Sequence, residues 1–333
     1  MTQPPDNLAD VFHVSRDEAY ARQAKEEAAY YDQPRMMGID LESRVTDSYQ
    51  NEIYTGDEDI PWYETIPNYG SFERGCALGA GGTKQRTRIL QQNPKLHLTI
   101  YDISKESLAV LDRDLASQFP GRVVTKLTDL NFVELPENSF DLFISSGCLH
   151  HLYNLEHVAF QINRSLTPDG YFFLEDYVGE ARFQFSEEKK RTFAEAFAEA
   201  QSRQRSIRHW RIAWPDLDDW NYSPFEALRS NETLEIFRRY LTEVKVRTAG
   251  AIIGLILLSV RPPAPLGRPL SIRDVLLRRV VSFKSWLLRE GGSQFEITSK
   301  LAKQLLPLDR QVSEAGTLTP TNGFAVYRKR VQN

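Results

Sequence analysis

Short apolar runs alternate with amphipathic segments between residues 75 and 180. The apolar runs predict five buried strands, at 76–79, 97–102, 122–127, 140–145 and 171–176. Helical spacing of apolar residues predicts three helices, from the glycines near residue 80 to residue 92, over 104–119 and over 154–166. Buried strands that alternate with helices are typical of right-handed βαβ units. We therefore expect an α/β fold with a doubly wound, mostly parallel sheet.

The N-terminal part of the chain lacks this alternation. Its first ten residues are polar and are predicted to be disordered. The segment 15–32 predicts a helix, because Ala, Glu and Lys fill its interior and Ser15 can cap it. Residues 33–70 are rich in Gly, Pro, Asn and Asp and predict mostly loop with short elements. We interpret this part as a helical cap.

Beyond residue 180 the pattern becomes mainly helical. It predicts helices at 186–207 and 271–290, and strands at 243–248 and 324–330. We expect the strand at 324–330 to run antiparallel beside 243–248 and to close a seven-stranded sheet. The alternative topology folds the apolar run 251–260 back as the final strand.

Composition limits the classes of protein that this chain can represent. The 333 residues carry a net charge of −4, with 41% hydrophobic and 26% charged residues, as in an ordinary globular protein. An acidic balance argues against nucleic acid as a partner. The longest apolar run, 251–260, is half of the ~20 residues that span a bilayer, and no signal peptide is evident. Two cysteines fit a reducing compartment, so we expect a cytoplasmic protein.

A glycine-rich turn and a strand-terminal acid carry the first functional signal. The turn lies between a strand and a helix and consists of Gly79, Ala80, Gly81 and Gly82. Glycine there allows a ligand to approach the backbone near the helix amides. Asp102 ends the next strand, where a carboxylate reaches a ribose diol in doubly wound sheets. The pattern predicts a nucleoside site.

The spacing of the glycines separates the nucleoside classes. A dinucleotide site needs G-x-G-x-x-G, and its third glycine is replaced by Lys84. The phosphate-binding pattern G-x-x-x-x-G-K-[ST] is absent around this turn. An NAD-dependent oxidoreductase is therefore a disfavoured alternative, and a nucleoside without pyrophosphate, such as S-adenosylmethionine (SAM), fits the shorter turn.

Residues 75–180 resemble the class I SAM-dependent methyltransferases. ALGAGGT (77–83) is similar to the family's first motif, and IYDIS (100–104) resembles the second, with Asp102 and Ile103 as cofactor contacts. The segment 127–152 resembles the one that supplies an adenine-binding Asp, which implies that Asp129 and Leu130 border the adenine. LTPDGYFFLEDY (166–177) is similar to the family's fifth strand. The resemblance implies a methyltransferase with SAM as its cofactor.

Two positions depart from that family's first motif. Ala77 stands where the family has an acid that orients the methionine end of SAM, and Thr83 replaces the third glycine. Glu73 or an N-terminal residue is a candidate replacement for the acid. A SAM-fold binding or scaffold protein without catalysis therefore remains an alternative.

The carboxyl edge of strands four and five offers the catalytic candidates. Ser146 ends strand four and is a further candidate cofactor contact, and His150 and His151 follow within one turn. Adjacent residues of a helical turn point about 100° apart, so we expect one histidine, His151, to face the acceptor as a base. Glu175 and Asp176, which end strand five, are the alternatives. No metal is expected, because the histidines show no H-x-x-x-H pair.

The region after residue 180 predicts the acceptor side. An aromatic segment there suits either a stacking surface or a small core, and contains Trp210, Trp214, Trp220, Tyr222 and Phe225. DYVGEARFQFS (176–186) and YSPFEALRS (222–230) resemble a bacterial methyltransferase subgroup associated with sugar modification. This favours a hydroxyl or amine of a small molecule as the acceptor. The basic helix 271–290 suits core packing or a homodimer contact, and a membrane contact less well.

We accordingly divide the chain into four segments. Residues 1–70 form the N-terminal tail and cap, and 71–180 the SAM-binding core. Residues 181–322 form a helical acceptor-side insertion that contains the strand 243–248, and 323–333 form the last strand and tail.

Overall fold

The computed structural model describes residues 13–33, 44–261 and 294–330. Two predictions, disorder in the first ten residues and the helix at 271–290, lie outside these ranges. The division into four segments stays a prediction. No helix within these ranges has the length and apolar composition needed to cross a membrane.

Seven strands form one sheet with the spatial order β3-β2-β1-β4-β5-β7-β6. The strands are β1 (Arg74–Leu78), β2 (His97–Asp102), β3 (Val123–Leu127), β4 (Phe140–Ser146), β5 (Leu166–Tyr177), β6 (Leu241–Ala249) and β7 (Asn322–Lys329). Strand β7 is antiparallel to both its neighbours, and the pairs from β3 to β5 are parallel. This confirms the expected fold and the insertion of the last strand beside β6.

The alternative topology is wrong. The run 251–260 lies outside the seven-stranded sheet and forms turns and the short helix Leu255–Ser259. Its last residue joins a separate two-stranded ribbon of Arg211–Ile212 and Val260–Arg261. The turn at Gly250 has a positive φ of 83°, but the chain then leaves the sheet.

Helices cover both faces of the sheet. They are α1 (Glu18–Asp32), α2 (Arg44–Thr55), α3 (Thr83–Gln92), α4 (Lys105–Ala116), α5 (Leu155–Ser165), α6 (Glu187–Arg203), α7 (Thr233–Tyr240), α8 (Leu255–Ser259) and α9 (Gln294–Glu314). Side chains alternate along the strands, so Ile144 packs in the layer of α3 and α4, whereas Phe143 packs in that of α5 and α7. Burying each such side chain contributes about 2–3 kcal/mol. Covered on both faces, the sheet presents its ligand-binding groups at its carboxyl edge.

The N-terminal region differs from the sequence prediction in two respects. Helix α1 is capped by Asp17, whose carboxylate accepts a hydrogen bond from the Tyr20 amide, and not by Ser15. Residues 44–55, predicted as loop, form helix α2. The composition of 33–70 obscured the helical spacing of Val45, Tyr49 and Ile53, which pack on the core.

Helix α1 is fastened near both of its ends to loops that follow the strands. Before it, the Val14 amide donates to Asn154 Oδ1 at 2.7 Å. At its end, Asp32 accepts from the Ser104 hydroxyl at 2.8 Å. Since Ser104 follows β2 and Asn154 follows β4, the helix crosses the carboxyl edge of the sheet as a cap.

Candidate active site

The glycine turn after β1 is a tight cradle. Gly79 and Gly81 have positive φ values of 85° and 63°. A Cβ on Gly79 would lie 2.8 Å from Cys148 Cβ, and one on Gly81 would lie 2.7 Å from Arg86 Nη2. The positive φ values favour glycine at both positions, and Cys148 and Arg86 fill the space that a side chain would need.

Asp102 connects the end of β2 to this turn. Its carboxylate accepts hydrogen bonds from the amides of Ala80 and Ser104, both at 2.6 Å. The half-buried Ile103 lies between those contacts. Gly82 begins α3 without a side-chain cap, so the amides of the first turn remain for a ligand. The residues predicted for the ribose end of SAM thus lie together at one edge.

The predicted adenine side lies under α1. Asp129 Oδ2 accepts from the Tyr20 hydroxyl at 2.8 Å, and Oδ1 accepts from the Asn131 amide at 3.0 Å. Leu130 is buried beside them. Burial and the nearby charge of Asp129 raise the pKa of Tyr20 well above its ordinary value, so the phenol stays a neutral donor. Helix α1 therefore covers the acid expected to meet adenine.

Ser146 links three elements at the end of β4. Its hydroxyl donates to Glu175 Oε2 at 2.8 Å on β5. The Gln85 amide nitrogen of α3 donates to the same hydroxyl at 3.4 Å. Glu175 is thereby held at the boundary between the glycine turn and the acceptor side.

Asp176 organises the turn that carries the histidines. Its side chain is 0% exposed, and Oδ2 accepts from the Leu149 amide at 2.7 Å and the Cys148 amide at 3.2 Å. Oδ1 makes a short contact with His150 Nδ1. His150 Nε2 lies 3.2 Å from Glu226 Oε1. One imidazole therefore bridges the buried carboxylate of Asp176 and the half-buried carboxylate of Glu226.

This bridge fixes the charge of His150. Burial alone lowers the pKa of the imidazole, but the charge of Asp176 and the hydrogen bonds to Asp176 and Glu226 raise it to about 10. Burial alone raises the pKa of Glu226, but the hydrogen bond to His150 and the nearby histidine charges bring this pKa below its ordinary value. At neutral pH the group is an imidazolium between two carboxylates.

His151 lies beside His150 with a different set of partners. Its Nδ1 is 3.1 Å from Glu27 Oε1, and its Nε2 is 3.0 Å from the Tyr31 hydroxyl. The two rings are 4.0 Å apart, and His151 Nε2 also lies 3.9 Å from Glu226 Oε2. The 3-10 turn lets both rings face Glu226, and the expectation that only His151 faces the acceptor stays a prediction.

His150, His151 and Glu226 form a group that could hold a metal ion, with ligand atoms within 4.8 Å of one another. Asp176 and Glu27 face the other ring nitrogens, as carboxylates do behind metal-binding histidines. Spacing in the sequence did not reveal this group, because Glu226 lies far along the chain. A metal would have to displace the proton that His150 holds.

The residues that sequence reasoning missed come from outside the motifs. Glu27 and Tyr31 belong to α1, Arg86 to α3 and Glu226 to the loop before α7. Glu226 lies within YSPFEALRS, and this was the available signal. Glu73, offered as a replacement acid, is exposed at the amino end of β1, the opposite edge from the glycine turn.

The aromatic segment is mainly core. Trp210 and Phe225 are buried, and Trp214, Trp220 and Tyr222 pack against the core. Arg182 lies 5.0 Å above the Trp220 ring. Four nearby arginines are exposed on the surface, namely Arg203, Arg205, Arg208 and Arg211.

Sequence comparison identifies the core. Residues 77–174 match a family described as a methyltransferase domain. A curated relative, phosphoethanolamine N-methyltransferase 2 of Caenorhabditis elegans, is 27% identical over 110 residues. The match covers 32% of this chain and 24% of the relative, so the chain corresponds to about a quarter of that protein.

Two methyltransferases are among the solved structures to which the chain is similar. Phosphoethanolamine N-methyltransferase 2 of Haemonchus contortus, in complex with S-adenosyl-L-methionine, has a TM-score of 0.46 at 16% identity, over 92% of this chain and 60% of that one. Geranyl diphosphate C-methyltransferase of Streptomyces coelicolor has a TM-score of 0.44 at 6% identity, over 80% and 78% of the two chains. The family match and the motifs agree. Residues 77–174 therefore form a methyltransferase domain, and this segment carries the motifs that resemble those of the class I SAM-dependent methyltransferases.

Proposed function

We propose that this protein transfers a methyl group from SAM to a hydroxyl or amine of a small molecule. The observation that carries the proposal is the pair of adjacent histidines, the buried His150 and the half-buried His151, enclosed by Glu27, Asp176 and Glu226. Such a polar group at the carboxyl edge of a doubly wound sheet suits an acceptor that must lose a proton.

The cofactor residues keep their predicted roles in this proposal. The glycine turn would take the methionine end of SAM, and Asp102 with Ile103 the ribose. Asp129 and Leu130 would border the adenine, and Ser146 would line the site between them. SAM supplies an electrophilic methyl group when bound. The chain then aligns the nucleophile, which can contribute several kcal/mol to the rate.

His151 is the proposed proton acceptor. The Glu27 carboxylate can only accept, so His151 Nδ1 carries the proton and Nε2 is the accepting atom. The Tyr31 hydroxyl donates to Nε2. A proton from the acceptor could therefore pass to the Tyr31 oxygen while the Tyr31 proton moves to His151. Asp176 is engaged by backbone amides and His150, and acts as a positioning residue.

The relative suggests the first acceptor to examine. That protein is named for phosphoethanolamine, and an amine fits a site with the carboxylates of the buried Glu27 and the half-buried Glu226. We extend the proposal to a cytoplasmic location, which suits the free thiols of Cys76 and Cys148. Homodimer formation remains a prediction.

Transfer of label from methyl-labelled SAM tests the function. The protein is incubated with phosphoethanolamine, ethanolamine or a small-molecule extract, and labelled products are separated. His151→Ala should lower the rate by about 10²–10⁴ and leave SAM affinity nearly unchanged. His97→Ala is the matched control, since His97 is exposed at the start of β2.

Three results would contradict the proposal. Binding of SAM without any labelled product favours the scaffold alternative. Binding of NAD in place of SAM favours the oxidoreductase. A His151→Ala variant with the parental rate removes His151 from the proton path and returns the role to Glu175 or to positioning alone.

A further inference from the structure

Arg86 is a buried cation with incomplete contacts. It lies in the first turns of α3 and its side chain is 0% exposed. Nη2 donates to the Gly79 carbonyl at 3.1 Å, and Nη1 donates to Gln85 Oε1 at 2.8 Å. Nε is buried without a hydrogen-bond partner. Within the described ranges no carboxylate forms an ion pair with this guanidinium, although the charge of Asp102 attracts it from farther away.

Such a group is costly to bury. An ion taken from water into a protein interior loses several kcal/mol of solvation unless an opposite charge and hydrogen bonds replace it. Burial lowers the pKa of Arg86 to about 10, so the guanidinium is still charged at neutral pH. An apolar side chain would fill this position at lower cost. The charge of Asp102 offsets part of this cost from a distance, and we expect a ligand to supply the direct partner that the guanidinium lacks.

The location indicates which kind of partner. Arg86 Nη2 lies against Gly81, where a Cβ would come within 2.7 Å. The guanidinium thus lies directly behind the cofactor turn. The start of α3, with Gly82 as an N-cap that provides no side-chain acceptor, adds further positive potential there. Both features favour an anion.

Arg86 lies near the position at which Ala77 departs from the first methyltransferase motif. Ala77 is fully buried in β1 and cannot supply the acid that the family uses at the methionine end of SAM. Glu73 lies at the opposite edge of the sheet and cannot replace it. The turn therefore presents a positive group near the site where related proteins present a negative one.

We propose that Arg86 is a cofactor-binding residue that pairs with the carboxylate of the amino-acid end of SAM. The inference rests on the proposed function, because it requires that SAM is the ligand. A guanidinium makes charge-assisted hydrogen bonds to a carboxylate, which are about twice as strong as neutral ones. Arg86 would thus select nucleosides that carry the amino-acid tail over those that lack it.

Paired ligands test this selection. S-adenosylhomocysteine and 5′-methylthioadenosine share the adenosine and the thioether, but only the first has the carboxylate. Calorimetric titration measures both dissociation constants for the full chain and for Arg86→Met and Arg86→Lys. Arg86→Met should raise the dissociation constant of S-adenosylhomocysteine by about tenfold or more. The dissociation constant of 5′-methylthioadenosine should stay unchanged. Arg86→Lys should show a smaller loss, because it keeps the charge without the planar fork.

Controls separate this inference from a structural role and from the proposed function. Arg88→Met is the matched control, since Arg88 is exposed and paired with Glu64, and both ligands should bind as to the parent. An equal loss of both ligands in the Arg86 variants would mean that the guanidinium only supports the turn and would overturn the inference. So would unchanged binding of S-adenosylhomocysteine. If Arg86→Met does not fold, Arg86→Lys tests the inference instead. The ratio of its dissociation constants for the two ligands should then differ from the ratio in the parent, and an unchanged ratio would overturn the inference. A parent protein that binds neither ligand contradicts the proposed function itself.

Discussion

The stability of this protein should fall as pH rises from about 6.5 to 10, because His150 loses its proton over that window. The imidazole has an ordinary pKa of 6.5 in the unfolded chain and about 10 in the folded one. A group whose pKa is raised by folding binds its proton more tightly in the native state. Its contribution is therefore complete below about 6.5 and disappears as pH rises through about 10.

The size of the effect follows from the same contacts. Each tenfold difference in proton affinity is worth about 1.4 kcal/mol, so the whole change is at most about 5 kcal/mol. The His150 side chain is only 10% exposed and Asp176 is 0% exposed, so solvent screens the pair little. Breaking a buried pair commonly costs about 3–5 kcal/mol. We expect a loss in that range.

Urea unfolding at pH values of about 6.5, 8 and 9.5 measures this loss of stability. The free energy of unfolding of the parent should fall steadily across the series. His150→Gln should be less stable than the parent at the lowest pH and nearly flat across the series, after shared titrations of other groups are subtracted. Asp176→Asn should show the same flattening, because it removes the charge that holds the proton.

Parallel curves for the parent and His150→Gln would refute this reasoning. They would mean that His150 is neutral in the folded protein, with the short contact to Asp176 made by a neutral imidazole. His150 Nε2 would then carry no proton and would be available to bind a metal ion.

Three further outcomes are expected. Asp102→Ala removes hydrogen bonds to a charged acceptor and should weaken SAM binding at least tenfold, as measured by calorimetry. An unchanged dissociation constant would refute the assignment of Asp102 to the ribose. Tyr31→Phe should slow methyl transfer by about 10–100-fold with SAM affinity retained, and a parental rate would exclude the relay to His151. A chelator should leave the rate unchanged, whereas loss that Mn²⁺ or Zn²⁺ restores would identify His150 and Glu226 as ligands with His151.

Local patterns in the sequence predicted most of the sheet. The run 97–102 was buried, bounded by polar residues and closed by Asp102, and β2 has these bounds. Strand β7 was predicted from the apolar residues of 324–330, and its pairing with the strand at 243–248 was predicted as well. These features depend on residues that are close together in the chain or on motifs with fixed spacing.

The acceptor side could not be predicted in the same way. Glu27 and Glu226 reach the histidines from segments far apart in the chain, and no spacing rule connects them. Arg86 stands in the polar sequence TKQR, which reads as the exposed start of a helix, yet its side chain lies behind the glycine turn. Burial of a charge depends on the tertiary structure, and periodicity does not reveal it.

The position of β7 has a consequence for the order in which parts of the protein fold during synthesis. Among the strands of the described residues, β6 pairs with β7 alone, and Glu175 and Asp176 of β5 pair with Phe324 and Gly323. During synthesis, β6 leaves the ribosome well before its partner does, and the edge of β5 beside the histidines stays open. The strands that carry the predicted SAM residues are thus synthesised before the strand that covers the edge of β5. A ribosome-bound chain that ends before residue 322 should be able to hold the cofactor and unable to use it.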